Sequence, residues 1–188
     1  MTYTESKAIA DSIIAEMRPY CERVEIAGSI RRKKQDGIKD LEIVAIPRWE
    51  IIRVGFFDED TKPINCLHRN WALRHPGVLW IKPGKKSDEP GEIQSDGKYW
   101  RGLINGKCKL DLFLTTPEQW GLIFMIRTGP AAFSRRMVTS KREDGLLQDD
   151  LRVADGWMME GESKLQTREE IDVFKLSGIE WIEPELRK

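Results

Sequence analysis

Three acidic residues and one glycine-serine turn carry the chemistry that this sequence could perform. Asp40 and Glu42 are two residues apart within residues 39–46 (KDLEIVAI), and Asp111 lies within residues 107–114 (KCKLDLFL). Both stretches read as strands, so Asp40 and Glu42 leave one face while Leu41 and Ile43 leave the other. If the strands are neighbours, Asp111 joins that face, and such a cluster is costly unless cations neutralise it. All-oxygen ligation selects Mg²⁺ or Mn²⁺, and two such ions about 3.5–4 Å apart are the usual clamp for phosphoryl transfer. Taken alone, D-x-E is also the ordinary alternation of a half-buried strand.

The second element is Gly28-Ser29-x-Arg31-Arg32, directly after a short apolar stretch. Glycine lets the chain turn sharply and lets a polyphosphate approach the backbone, while Ser29 and Arg32 offer a hydroxyl and a fork of donors for phosphate oxygens. The plainer reading is a turn followed by a solvated basic run. The D-x-E that begins eleven residues after Ser29, and the third acid further on, favour the phosphate reading.

The elements that must position these residues follow from the apolar pattern. Residues 6–18 read as an amphipathic helix, with Ile9, Ile13 and Met17 at helical spacing. Residues 23–27 and 39–46 read as strands, with a turn over 35–37 between them. The stretch 49–71 predicts one or two helices, 78–82 a strand, and 83–97 a long loop rich in Pro, Gly, Ser, Asp and Lys. Residues 98–104 and 107–114 form a β-hairpin around Asn105-Gly106, a type I′ turn pair. Thr116, Pro117 and Gln119 predict a capped helix start, and that helix runs to Gly129-Pro130. A second helix over 131–144 carries Arg135, Arg136, Lys141 and Arg142, and another helix starts at Thr167. A domain boundary near residue 115 follows, where hairpin gives way to helices.

The composition is that of an ordinary globular chain: 188 residues, 40% apolar, 31 basic and 31 acidic groups. The longest apolar run is the seven residues 120–126, too short to span a membrane, and the opening residues lack the layout of a signal peptide. An intracellular protein is expected. Three dispersed cysteines without a C-x-x-C pair argue against a disulfide framework. Cys66, His68 and His75 lack a fourth partner for a structural zinc, so free thiols and surface imidazoles are expected. Among the seven tryptophans, Trp120 reads as core, whereas Trp100 and Tyr99 could stack on exposed bases or belong to the core. The zero net charge is uneven: residues 1–61 balance to −2, 62–110 to +6 and 111–188 to −4. The middle strip, with Lys85 and Lys86 in its loop, could follow a phosphate backbone.

These motifs in this order resemble the polymerase beta superfamily of nucleotidyltransferases, and within it the family X DNA polymerases. G-S-I-R-R (28–32), K-D-L-E-I-V (39–44) and K-L-D-L-F (109–113) carry the superfamily likeness. R-T-G-P-A-A-F-S-R-R-M (127–137), T-R-E-E-I-D-V-F (167–174), L-x-G (176–178) and I-E-P-E-L-R (182–187) narrow it. The likeness covers about 1–47 and 98–188 and leaves the basic segment 48–97 unmatched. It implies an α/β to α+β fold: a nucleotidyltransferase palm over 1–115, a mixed sheet flanked by helices, then a small α+β thumb over 116–188. Asp40, Glu42 and Asp111 would be the catalytic residues and the ligands of two divalent ions, Mg²⁺ or else Mn²⁺. Gly28, Ser29 and Arg32 would take the β- and γ-phosphates, Thr128 and Gly129 would border the sugar and base, and Ser134 and Arg135 would lie near the base pair or template. The implied partners are gapped or primer-template DNA and a dNTP, with no membrane and a monomeric enzyme suited to short-gap repair.

The chain departs from that pattern at three matched positions. Glu42 stands where the family has Asp, Arg127 where an aromatic residue is common, and Ser134 where an amide is common. Only 27 residues precede Gly28, which implies a minimal palm-plus-thumb form without the family's lyase and helix-hairpin-helix modules. Two alternatives stand beside the polymerase: a template-independent nucleotidyltransferase acting on RNA or protein, and an inactive DNA-docking module.

Overall fold

A computed structural model describes residues 1–54, 60–82 and 89–188, so Lys85 and Lys86 lie outside the described residues. Helix α1 (Tyr3–Met17) starts earlier than its apolar period alone suggests, because Thr2 and Glu5 form a capping box. The Glu5 amide donates to Thr2 Oγ1 at 3.3 Å and the Thr2 amide to Glu5 Oε2 at 2.9 Å. Pro19 closes the helix, and the chain passes into β1 (Cys21–Ile26). A single helical turn, α2 (Gly28–Arg31), then leads to β2 (Asp40–Pro47).

The stretch 49–71, expected to be helical, is mostly an antiparallel ribbon of β3 (Trp49–Val54) and β4 (Asp60–Asn65), followed by one π-helical turn over His68–Ala72. The ribbon is largely exposed, with Ile51 77% exposed, and the apolar residues of β3 fall on both of its faces, so its sequence lacks the alternation that marks a half-buried strand. Strands β5 (Val78–Ile81), β6 (Tyr99–Ile104) and β7 (Cys108–Leu114) follow close to expectation. Asn105 and Gly106 both have positive φ, as a type I′ pair requires. Lys107 belongs to the turn rather than to β7, however, and Ile104 pairs with Cys108. A two-residue loop would pair Ile104 with Lys107, so the whole hairpin register is offset by one residue. As a result Arg101 stands opposite Asp111.

Five strands make one mixed sheet in the order β1-β2-β7-β6-β5, with β2 and β7 parallel and the other pairs antiparallel. One face, with Leu41, Ile43, Leu110 and Leu112, forms a core with Ile13 and Met17 of α1 and with Trp71. The opposite face carries Val44, Ile46 and Phe113, which are covered by Trp120 and Phe124 of α3 (Trp120–Thr128). The fold is therefore mixed α and β, with helices on both faces of a mixed sheet.

The helix expected from Thr116 begins only at Trp120: residues 117–119 are a turn, and Gln119 takes the N-cap position. Its side-chain amide donates to Asp155 O at 3.0 Å, a tertiary bond that competes with local capping. Helix α4 (Ala131–Val138) stops short of Asp144, and a short helical turn over Lys141–Glu143 completes the stretch. A three-stranded antiparallel sheet of β8 (Leu151–Ala154), β9 (Trp157–Glu160) and β10 (Ser163–Leu165) precedes α5 (Glu170–Ser177). Thr167 does not start α5. Its backbone and hydroxyl hold the first turn of α3, receiving the Gly121 amide at 2.6 Å and the Leu122 amide at 3.3 Å. Leu122, Met125, Phe133, Met137, Val173 and Phe174 form the core of this region. Among the described residues no helix is long and apolar enough to cross a membrane.

Candidate functional site

Strands β2 and β7 run parallel with Glu42 directly beside Asp111 and Asp40 beside Lys109. Alternation then places Asp40, Glu42 and Asp111 on one face of the sheet, next to the edge of α3. Gly28 lies against this face. Its φ is +60°, and a Cβ added there would stand 1.9 Å from Glu42 Oε2, so only glycine lets the turn close over the carboxylate. The Ala27 amide donates to Glu42 O at 2.8 Å, which ties the turn to β2.

Arg32 reaches from the turn toward α3, with Nη1 donating to Thr128 O and Nη2 to Ser29 Oγ at 3.3 Å. Gly28, Ser29, Arg32, Thr128 and the carboxylates thus share one neighbourhood. Arg31 points elsewhere: Nη1 donates to Thr128 Oγ1 and Nη2 to Glu170 Oε2, each at 2.6 Å. Glu170 in turn accepts from Arg187 Nη1, whose side chain is fully buried among Phe133, Phe174 and Trp181. This chain of charges pins the end of α3, α5 and the C-terminal residues to the glycine-serine turn.

Burial pushes the Glu42 carboxyl up to about 7, with Asp40 and then Asp111 adding to the rise and Arg32 and Arg127 opposing it. Asp111, 7% exposed, is neutralised differently. Tyr99 OH donates to its Oδ1, as does Arg101 Nε at 2.9 Å, and Arg101 Nη2 approaches Oδ2 at 3.4 Å. Burial and the bond to Asp111 raise the Tyr99 phenol. Arg127 lies with its guanidinium 3.9 Å from the centre of the Phe113 ring, and its buried Nε has no hydrogen-bond partner among the described residues. Phe113 stacks in turn on Tyr99, with ring centres 5.0 Å apart.

Among the described residues no three acidic, histidine or cysteine side chains stand close enough to hold a metal ion as they are. The donor set nevertheless fits a hard divalent cation. It is all oxygen, Asp40 and Asp111 both push the Glu42 carboxyl up, and the Arg101 side chain that occupies Asp111 is 40% exposed and has room to withdraw.

The remaining sequence-predicted positions divide. Gly129 caps α3, its amide donating to Met125 O at 3.1 Å. Ser134 is buried and donates its hydroxyl to Ile126 O at 2.7 Å, so it serves the contact between α3 and α4 and does not face the carboxylates. Arg135 is exposed on α4. Trp100 is 1% exposed and donates Nε1 to Gln94 O at 2.9 Å, which rules it out as a surface stacking platform. Trp120 is core, as expected. The three cysteines are free but buried, and His68 and His75 are half-buried against Ile93 O and Glu16 rather than solvated at the surface.

Sequence reasoning missed Arg101, Glu170 and Arg187 as members of the site and its supports, the pairing of Arg31 of the glycine-serine motif with Glu170, and the bond that Tyr99 donates to Asp111. The hairpin register was the signal for Tyr99 and Arg101, but it depended on a loop length that Asn-Gly alone leaves open. In comparisons with known proteins, no family model and no curated sequence matches this chain.

Proposed function

We propose that the protein is a nucleotidyltransferase of the family X DNA polymerase type, adding a nucleotide from a dNTP to the 3′-hydroxyl of gapped or primer-template DNA. The observation that carries the reading is the pairing of Glu42 with Asp111 across parallel strands, with Gly28 laid over Glu42. Around it, the G-S-x-R-R, D-x-E and K-L-D motifs supply the donors and acceptors that such a transfer needs.

Gly28, Ser29 and Arg32 take the β- and γ-phosphates, offering a close backbone approach, a hydroxyl and a guanidinium. Asp40, Glu42 and Asp111 would hold divalent ions, Mg²⁺ or Mn²⁺, which supply charge neutralisation for phosphoryl transfer. Asp111 stands on the acceptor side, next to the 3′-hydroxyl, whose proton passes to solvent water as its oxygen attacks. The 3′-oxygen forms its bond to the α-phosphorus as the bond to the β-phosphate bridge breaks, and pyrophosphate leaves. Thr128 and Gly129, at the end of α3, border the nucleotide, and Arg135 lies further along on α4. Catalysis in this reading is positioning and charge neutralisation. The division into a palm over 1–115 and a thumb over 116–188 belongs to the same reading, as does short-gap repair synthesis.

The test is extension of a labelled primer across a one-nucleotide gap with Mg²⁺ and dNTPs, comparing the wild type with Asp111→Asn. Loss of at least about 100-fold is expected, because removing one charge-stabilising group typically costs that much. Unchanged extension in the variant overturns the assignment. Extension that ignores the template base moves the reading to untemplated transfer.

A further inference from the structure

Beside the carboxylates, two cavities run together into one groove. The first, about 470 Å³, is lined by Trp49, Tyr99, Phe113, Thr115 and Arg127 among others, and begins where Tyr99 touches Asp111. The second, about 540 Å³, shares Lys98, Gln119 and Asp155 with it and continues along β8–β10 past Arg152, Trp157 and Lys164. Each is large enough for a nucleoside-sized group.

We propose that this groove binds an unpaired nucleic-acid strand. Its lining carries both aromatic rings and cations. Tyr99 and the half-exposed Trp49 are followed by Lys98, then by Arg152, Trp157 and Lys164, whose ammonium lies 5.1 Å from the Trp157 ring centre. That combination suits a strand whose bases are free to stack and whose phosphates need neutralising, whereas a duplex keeps its bases stacked within itself. Asp96 and Asp155 also line the groove, so cations lead without filling it. The cations are available. Among the described residues Arg152 is held by Gly161 O at 3.1 Å and by a fully exposed Glu162 at 3.4 Å, a surface pairing that contributes little. The Thr115 hydroxyl, buried in the wall of the first cavity, has no hydrogen-bond partner among the described residues. The proposal stands apart from the transferase reading, since it needs neither metal nor turnover.

Fluorescence anisotropy of fluorescein-labelled octathymidylate in EDTA, titrated with salt, tests it. Lys98→Ala and Lys164→Ala should each flatten the slope of log affinity against log salt by about 0.7, the value for one lost phosphate contact on a single strand. Trp157→Leu should weaken binding about tenfold without changing that slope, and Trp157→Phe should restore most of the affinity because the stacking face returns. An octathymidylate affinity untouched by Trp157→Leu overturns the proposal. So does competition by a DNA hairpin duplex or by polyglutamate that equals competition by unlabelled octathymidylate. Failed primer extension with intact octathymidylate binding leaves the groove standing while removing the transferase reading, so the two fail separately.

Discussion

Replacing Glu42 with glutamine should stabilise the metal-free protein above neutral pH. The Glu42 carboxyl, held chiefly by burial and then by Asp40 at about 7 rather than the ordinary 4.5, keeps its proton in the folded state over a range where the unfolded chain has already lost it. Between those two values the native state binds more protons, so raising the pH favours unfolding. The favourable contribution is intact below about pH 4.5 and is gone once the pH has risen through 7. A shift of that size corresponds to about 3 kcal/mol of lost stability.

Urea denaturation in EDTA at pH 4.5, 6 and 8 gives the comparison. The difference between Glu42→Gln and wild type should move by about 3 kcal/mol in favour of the variant across that range, because groups distant from Glu42 titrate alike in both. Mg²⁺ added at pH 8 should recover stability in the wild type and much less in the variant, since a cation relieves a charge that glutamine lacks. A difference that stays constant with pH would falsify the claim that Glu42 sits buried among like charges.

Two further substitutions probe the parts that hold the site. Gly28→Ala should cost about 1–2 kcal/mol in urea denaturation from its left-handed backbone alone. Its methyl group would also displace the Glu42 carboxylate, which in the transferase reading should lower gap-filling rates by about 100-fold, the scale of a 1 Å misplacement. Arg187→Ala should cost about 3–5 kcal/mol, read as a lowered thermal midpoint, because it leaves the buried Glu170 carboxylate with Arg31 alone. A drop of less than about 1 kcal/mol would place that ion pair among those that surface solvent already screens.

The strands that bear the acids were legible because each carries its acids in a short alternation, Asp40 and Glu42 against Leu41 and Ile43 in β2 and Lys109 and Asp111 against Leu110 and Leu112 in β7. Each then ends in a wholly apolar run that is buried on both faces. The helix at Trp120 was legible through its apolar run, but its start was not, since Gln119 bonds Asp155 across the fold instead of capping locally. The β3–β4 ribbon was illegible for the opposite reason. With Trp49 and Ile51 exposed on a ribbon that lacks a core beneath it, period and burial no longer correspond. Strands β8 and β9 did leave a signal, Asp155-Gly156, both with positive φ, which is the hairpin pair most often seen between short strands.

The carboxylates show why residue type and spacing take the reader to the site but not to its resting state. Asp40, Glu42 and Asp111 share a face because strand alternation is fixed by covalent geometry. Which cation each acid meets depends on hairpin register, and the extra residue at Lys107 sets Arg101 against Asp111. Asp111 is therefore paired in the metal-free chain, whereas Glu42 is left with Arg32 and Arg127 as its opposing charges and a carboxyl near 7. In the transferase reading, an incoming cation gains most beside Asp40 and Glu42, where the uncompensated charge lies. Asp111 becomes a ligand only as Arg101 withdraws, so metal affinity and the strength of the Arg101–Asp111 pair must trade against each other.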